Sequence, residues 1–259
     1  MSKIISQASP IVEFPRYSIA GWFILNLVWS VLTLKKRSFA ADSARLSKGI
    51  HPPLKIFGEE NIVRDGPALV VCNHYHREGF SAFWIAVAVQ AALAEFREER
   101  DDIHWVMTAA WNFEESRWKH AFLTPITKWA FKRIAQIYDF VNMPPMPPAE
   151  HEVLERAVAV RKSLRMAKKL AESGGLMGLA PEGRDVFESG RYVPDGVGDF
   201  IYHLNKLGLP ILPVGISEVG GKLQISVGKM IELDLPKEKS TRDRVVANQA
   251  MDAIEELFI

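Results

Sequence analysis

Beyond residue 53 the sequence alternates short apolar runs with longer helical patterns, and nothing else in the chain limits the possible fold as tightly. The runs Leu54–Phe57, Ala68–Cys72, His104–Met107, Gln136–Phe140, Leu176–Ala180, Ile211–Gly215 and Leu223–Val227 read as strands. The stretches Phe80–Phe96, Ala121–Ile134, His151–Glu172, Gly198–Leu207 and Thr241–Phe258 read as helices. Strands joined through helices are crossover-connected, so the expected fold is α/β: a mixed, mostly parallel sheet covered by helices. A chain of 259 residues buries a full core without covalent staples. The single cysteine, Cys72, excludes an internal disulfide and any multi-cysteine metal site. With 32 Lys and Arg against 31 Asp and Glu there is no global basic field, so no nucleic-acid partner is expected. The four prolines between Met143 and Pro148 remove four donors and read as a stiff surface connector.

The N-terminal region has a different composition. From Tyr17 to Leu34 no residue is charged, while Arg16 precedes the run and Lys35, Lys36 and Arg37 follow it. As a helix these residues would measure ~27 Å, close to the thickness of a thin hydrocarbon core. One reading is a core helix of the folded body. The other is an N-terminal apolar helix that attaches the chain to a membrane, spanning it or lying in the interface, with Trp22 and Trp29 as amphipathic anchors. The basic residues behind the run put the body on the cytoplasmic face. Residues 38–52 read as a polar connector. Residues 1–50 then form a membrane-associating helix and connector, and residues 51–259 the main domain.

Three strand ends carry residues suited to chemistry. Ala68–Cys72 runs into Asn73, His74, His76 and Glu78 before a helix begins. A histidine held there by a sheet can act as a base toward a ligand, or simply cap a turn. Two alternate histidines without a third ligand do not define a metal site. Leu176–Ala180 ends in Pro181-Glu182-Gly183-Arg184, which holds an acid and a guanidinium where α/β folds commonly bind ligands. In the third, Pro210 and Pro213 interrupt a short apolar run, as suits a strand at an edge or pocket wall.

Taken in this order, the segments resemble the glycerolipid acyltransferase family, whose archetype is 1-acylglycerol-3-phosphate acyltransferase. Gly66-Pro-Ala-Leu-Val-Val-Cys-Asn-His74 looks like the approach to the family's first motif, Pro181-Glu-Gly183 like its third and Pro210-Ile-Leu-Pro-Val214 like its fourth. The resemblance runs from about Leu54 to about Glu232. It implies acyl transfer from a thioester, acyl-CoA or acyl-ACP, to the hydroxyl of a lipid-like acceptor, with no metal and no further cofactor. It makes His74 the general base and gives Asn73, Glu182, Gly183 and Arg184 to the substrate site.

The match departs from the family at several points. The first motif, Asn-His-x-Ser-x-x-Asp, here has His76 at the serine and Gly79 at the aspartate. Glu78, one position early and one methylene longer, is the carboxylate placed to orient His74. Arg184 and Asp185 stand where the third motif has threonine and arginine, and the arginine that ends the second motif is missing around Ile137–Val141. Gly79 also leaves room for a second reading, a non-catalytic member of the fold that binds acyl chains or lipid. An α/β-hydrolase would need a Gly-x-Ser-x-Gly elbow, and the sequence has none.

Overall fold

The computed structural model describes residues 14–97, 101–111, 116–144, 153–183 and 193–258. Nine strands and seven α-helices are defined among them. A two-residue ribbon pairs β1 (Arg16–Tyr17) with β2 (Ile50–His51). The main sheet holds β3 (Lys55–Phe57), β4 (Ala68–Cys72), β5 (Ile103–Thr108), β6 (Val141–Met143), β7 (Leu176–Leu179), β8 (Ile211–Val219) and β9 (Lys222–Val227), in the order β3-β9-β8-β4-β7-β5-β6. The five strands from β8 to β6 are parallel, whereas β9 returns antiparallel to β8 and carries β3 with it. The mixed, mostly parallel α/β sheet is therefore present.

Central strand β4 shows why the sheet needs cover on both sides. Ala68, Val70 and Cys72 face one core; Leu69 and Val71 face the other, and all five are buried. The first core is closed by α1 (Gly21–Thr33), α2 (Phe39–Leu46), α3 (Phe83–Phe96) and the end of α4 (Arg117–Ile137). The second is closed by α5 (Val153–Ser173), α6 (Val197–Lys206) and α7 (Arg242–Glu255). Full burial of an aliphatic side chain contributes about 1.5–3 kcal/mol, so these two layers carry most of the driving force. Gly198 allows α6 and α7 to touch: a Cβ there would lie 1.8 Å from the Asp243 carbonyl oxygen. The Asp243 carboxylate in turn accepts from the amides of Gly196 and Asp199, capping α6 from a neighbouring helix.

Several expectations need correction. Residues 136–140 are not a strand, because α4 continues to Ile137 and the chain turns at Asp139, with φ 55°, before β6 starts at Val141. The apolar spacing there belongs to a helix end: Ala135 and Ile137 are buried by α4, and Tyr138 and Phe140 by packing on Phe39. The expected polar connector is mostly α2, whose Ser38 side chain accepts from the Ala41 amide as an N-cap. Strand β8 runs to Val219 rather than Gly215, since Gly220 and Gly221, both at positive φ, turn it into β9. The four prolines 145, 147 and 148 with 144 meet the limit of the described chain, and residues 145–152 lie outside it.

At 13 residues, α1 is shorter than the uncharged run that contains it. Such a helix is about 20 Å long against a hydrocarbon core of about 30 Å. Among the described residues no helix is long and apolar enough to cross a membrane. Instead Phe23 and Val31 pack into the first core beside Phe39 and Leu46. Arg37 fastens this N-terminal region from below. Its guanidinium donates to both Asp42 carboxylate oxygens at 2.6 and 2.8 Å, Tyr138 donates to the same carboxylate at 2.7 Å, and Arg37 Nη1 also reaches Ser30 Oγ. The Asp42 side chain is 3% exposed.

Candidate functional site

The strands that carry the three motif-like segments are consecutive in the sheet. β4 lies between β8 and β7, parallel to both, with Cys72 opposite Val214 and Val71 opposite Leu179. Residues leaving the ends of β4 and β7 must therefore emerge side by side, although more than a hundred positions separate them in sequence. Asn73 is buried and holds β8: its Nδ2 donates to the Ile216 carbonyl at 2.9 Å, and its Oδ1 accepts from the Ile216 amide at 2.8 Å. Both ends of the amide are thus taken up by the sheet.

His74 follows, half-buried, and its backbone N–H donates to the Glu182 carboxylate. This contact joins the first and third motif-like segments directly. Pro181 and Glu182 form a turn, and Gly183, at φ 68°, donates back to the Ala180 carbonyl. Burial pushes the Glu182 carboxyl above its usual range, and the His74 amide works against that rise. Burial, together with the Glu182 charge, also raises the Cys72 thiol, which leaves it a poor nucleophile at neutral pH. Arg184, expected beside Glu182 and Gly183, lies outside the described residues, as does Asp185.

A second charged pair holds the loop after His74, and the sequence reading did not find it. Arg77 donates through Nε and Nη2 to the two carboxylate oxygens of Glu218, whose side chain is 1% exposed. Tyr17 and Tyr75 donate to the same carboxylate. Burial and the Glu218 charge push the Tyr75 hydroxyl up to about 12, and the same causes raise Tyr17. The guanidinium also lies over the Phe14 ring, 4.4 Å from its centroid. The N-terminal ribbon, the loop after β4 and the end of β8 are thus tied at one buried carboxylate. The available signal was Gly220-Gly221: recognised as a hairpin turn, it extends β8 through Glu218 and brings that acid to the end of the sheet where His74 emerges.

Glu78 is exposed, and its carboxylate bonds to no described residue; only its carbonyl is used, by Arg77 Nη1 at 3.0 Å. His76 is half-buried on the same loop. The aromatic residues that follow mainly pack. Phe80 and Trp84 are buried, with ring centroids 5.3 and 5.2 Å from that of Tyr17, while Phe83 is partly exposed. Gly79 has φ 76°, and a Cβ built there would meet only Arg77 Nη1, at 3.8 Å. Space is open, so backbone strain sets the cost of substitution. Gly79→Asn is expected to lower stability by about 1 kcal/mol and Gly79→Val by about 2 kcal/mol, because asparagine tolerates the left-handed region and a β-branched residue does not. Urea unfolding of the two variants checks this order, and equal stabilities would contradict it.

Among the described residues, no group of three or more His, Cys, Asp or Glu side chains is placed to hold a metal ion. The arrangement offers a histidine at a strand end, its main chain fixed by a carboxylate on one side and by the sheet through Asn73 on the other. No family model and no curated protein matches the sequence. Among solved structures the chain is similar to the crystal structure of the 1-acyl-sn-glycerophosphate (LPA) acyltransferase PlsC from Thermotoga maritima, with 15% identity over 92% of this chain and 88% of that one, and a TM-score of 0.47.

Proposed function

We propose that this chain is an acyltransferase that moves a fatty acyl group from a thioester, acyl-CoA or acyl-ACP, to a hydroxyl of a lipid-like acceptor. The reaction takes place at a membrane surface, on the cytoplasmic face. The observation that carries the reading is the bond from the His74 amide to Glu182, which unites two motif-like segments remote in sequence. His74 takes the proton as the acceptor oxygen attacks the thioester carbonyl. Backbone amides of the surrounding loops stabilise the tetrahedral oxyanion. The carbon–sulfur bond then breaks, and the imidazolium returns the proton to the leaving thiolate. Glu182 holds the main chain of the base, and Asn73, spent on β8, anchors it rather than touching substrate. Glu78 is the carboxylate proposed for its ring, a bond its exposed side chain does not make in this structure, and Gly183 and Arg184 complete the substrate side. A thioester is already activated, so the step calls on no metal.

A second reading, acyl or lipid binding without turnover, is favoured by one feature: Gly79 stands at the motif aspartate while the neighbouring Glu78 carboxylate lies in solvent. Purified chain incubated with acyl thioesters and a mixed acceptor panel, followed by lipid mass spectrometry, separates the two. Acylated acceptor with stoichiometric thiol release is expected, and neutral or amino-lipid acceptors are expected to outpace lysophosphatidate. The residues Ile137–Val141 supply no guanidinium for a phosphate dianion, which prefers bidentate contacts. Bound but unreacted thioester would establish the binding reading; thiol release without acylated product would make the chain a thioesterase; faster turnover of lysophosphatidate would refute the acceptor preference.

A further inference from the structure

Among the described residues, a pair of apolar stripes on neighbouring helices is left exposed by the fold. On α1, Trp22, Leu25, Trp29 and Leu32 follow one another at helical spacing and all are exposed, Leu25 by 73%. On α4, Trp118, Phe122, Ile126 and Trp129 repeat the pattern, with Phe122 66% exposed. Arg133 joins the two: it donates to the carbonyls of Val31 and Leu32 at 3.0 and 2.9 Å, and its guanidinium lies 5.1 Å from the Trp129 ring centroid. The α4 stripe therefore meets α1 at its C-terminal end. Eight large apolar side chains, two tryptophans on each helix among them, are thus exposed on neighbouring helices, and grouped exposure of this kind marks an interaction site rather than scattered surface residues.

Charge selects the occupant. Neither α4 nor the stretch from Tyr17 to Ala41 contains an Asp or Glu. Lys119, Lys128 and Lys132 are exposed along α4, Lys128 pairing with Glu155 at 3.0 Å, and Lys35 and Lys36 line a cleft of about 180 Å³ that Trp29 also borders, Lys36 pairing with Asp139. Apolar stripes and amphipathic aromatics flanked by an excess of cations, with Lys35, Lys119 and Lys132 making no ion pair to a described acid, match the interface of an anionic bilayer, where rings enter the headgroup boundary and cations meet phosphates. We infer that α1 and α4 together form one in-plane docking face for an anionic lipid surface, with α1 lying in the interface. This extends the membrane part of the proposed function to a helix outside the N-terminal run. It does not depend on acyl transfer, so vesicle binding and turnover can fail separately.

The test is co-sedimentation of the full chain with vesicles of phosphatidylcholine alone or with about one third phosphatidylglycerol. Binding should favour the anionic vesicles and weaken as salt rises. Two double variants, Trp118→Ser with Phe122→Ser on α4 and Trp22→Ser with Trp29→Ser on α1, should each lose at least about tenfold in partitioning, since each removes two large apolar groups from the bilayer contact. Their urea midpoints should match the parent, because the substituted side chains are exposed. Parent-like binding by the α4 variant would remove α4 from the face and overturn the inference. Equal binding to both vesicle types at all salt concentrations would also overturn it. So would a stable dimer dissolved by the same substitutions, which would give the face to a second copy of the chain.

Discussion

His74→Ala is expected to remove at least ~100-fold of acyl transfer, the lower end of what a positioned general base supplies. The side chain is half-buried at the end of β4 rather than in either core, so the variant should stay folded. Protection of Cys72 is a convenient check, because the thiol is fully buried and should react with an alkylating reagent only on unfolding. Two companion variants separate the carboxylates. Glu182→Gln keeps an acceptor for the His74 amide but removes the charge, whereas Glu182→Ala removes the acceptor too; the alanine variant should lose more activity. Glu78→Gln tests the ring partner. Unchanged transfer in that variant, with His74→Ala inactive, would mean that another group orients the ring. Unchanged transfer in His74→Ala would end the catalytic assignment.

Asp42→Ala should be among the most damaging single changes to stability, at about 3–5 kcal/mol, because it strands a charge away from water. Arg37 is only 13% exposed at its side chain and loses both bonds to the carboxylate. Tyr138 loses its acceptor as well. For a chain of this size the loss corresponds to a fall in Tm of about 10 °C. Replacing both partners, as Arg37→Met with Asp42→Leu, should cost less than Asp42→Ala alone, since no uncompensated charge remains. Calorimetry of the three proteins decides the matter, and an unchanged Tm for Asp42→Ala would show the network to be energetically idle.

The same network marks where sequence reasoning stops. Ala68–Cys72 was readable to the residue, because five apolar positions in a row between polar punctuation suit a strand covered on both faces. The helix Phe39–Leu46 was not, because Asp42 and Ser43 are among its buried residues. A buried aspartate looks like surface until its partner is known, and the Tyr138 hydroxyl lies 96 positions away. Arg77 and Glu218, 141 positions apart, were hidden for the same reason. His74 and Glu182 could be singled out as strand-end residues. Their contact followed only from the order of strands, which periodicity does not encode. The exposed stripe of α4 had helical spacing in the sequence, but spacing alone does not distinguish a core-facing stripe from one left in solvent.

The place of β4 has a consequence for how the chain is made. It is the middle of the sheet, yet its neighbours begin only at Leu176 and Ile211. At a synthesis rate of about 10 residues per second, roughly 10 s pass between the appearance of this strand and that of its first partner. During that interval a wholly apolar strand has two unpaired edges while the nascent chain already carries the tryptophan-rich α1. Early ribosome-bound chains should therefore bind chaperones through Ala68–Cys72 until β7 emerges. Truncations ending before Leu176 should aggregate, and β3, whose partner β9 begins at Lys222, should be the last strand of the sheet to gain protection from hydrogen exchange during synthesis.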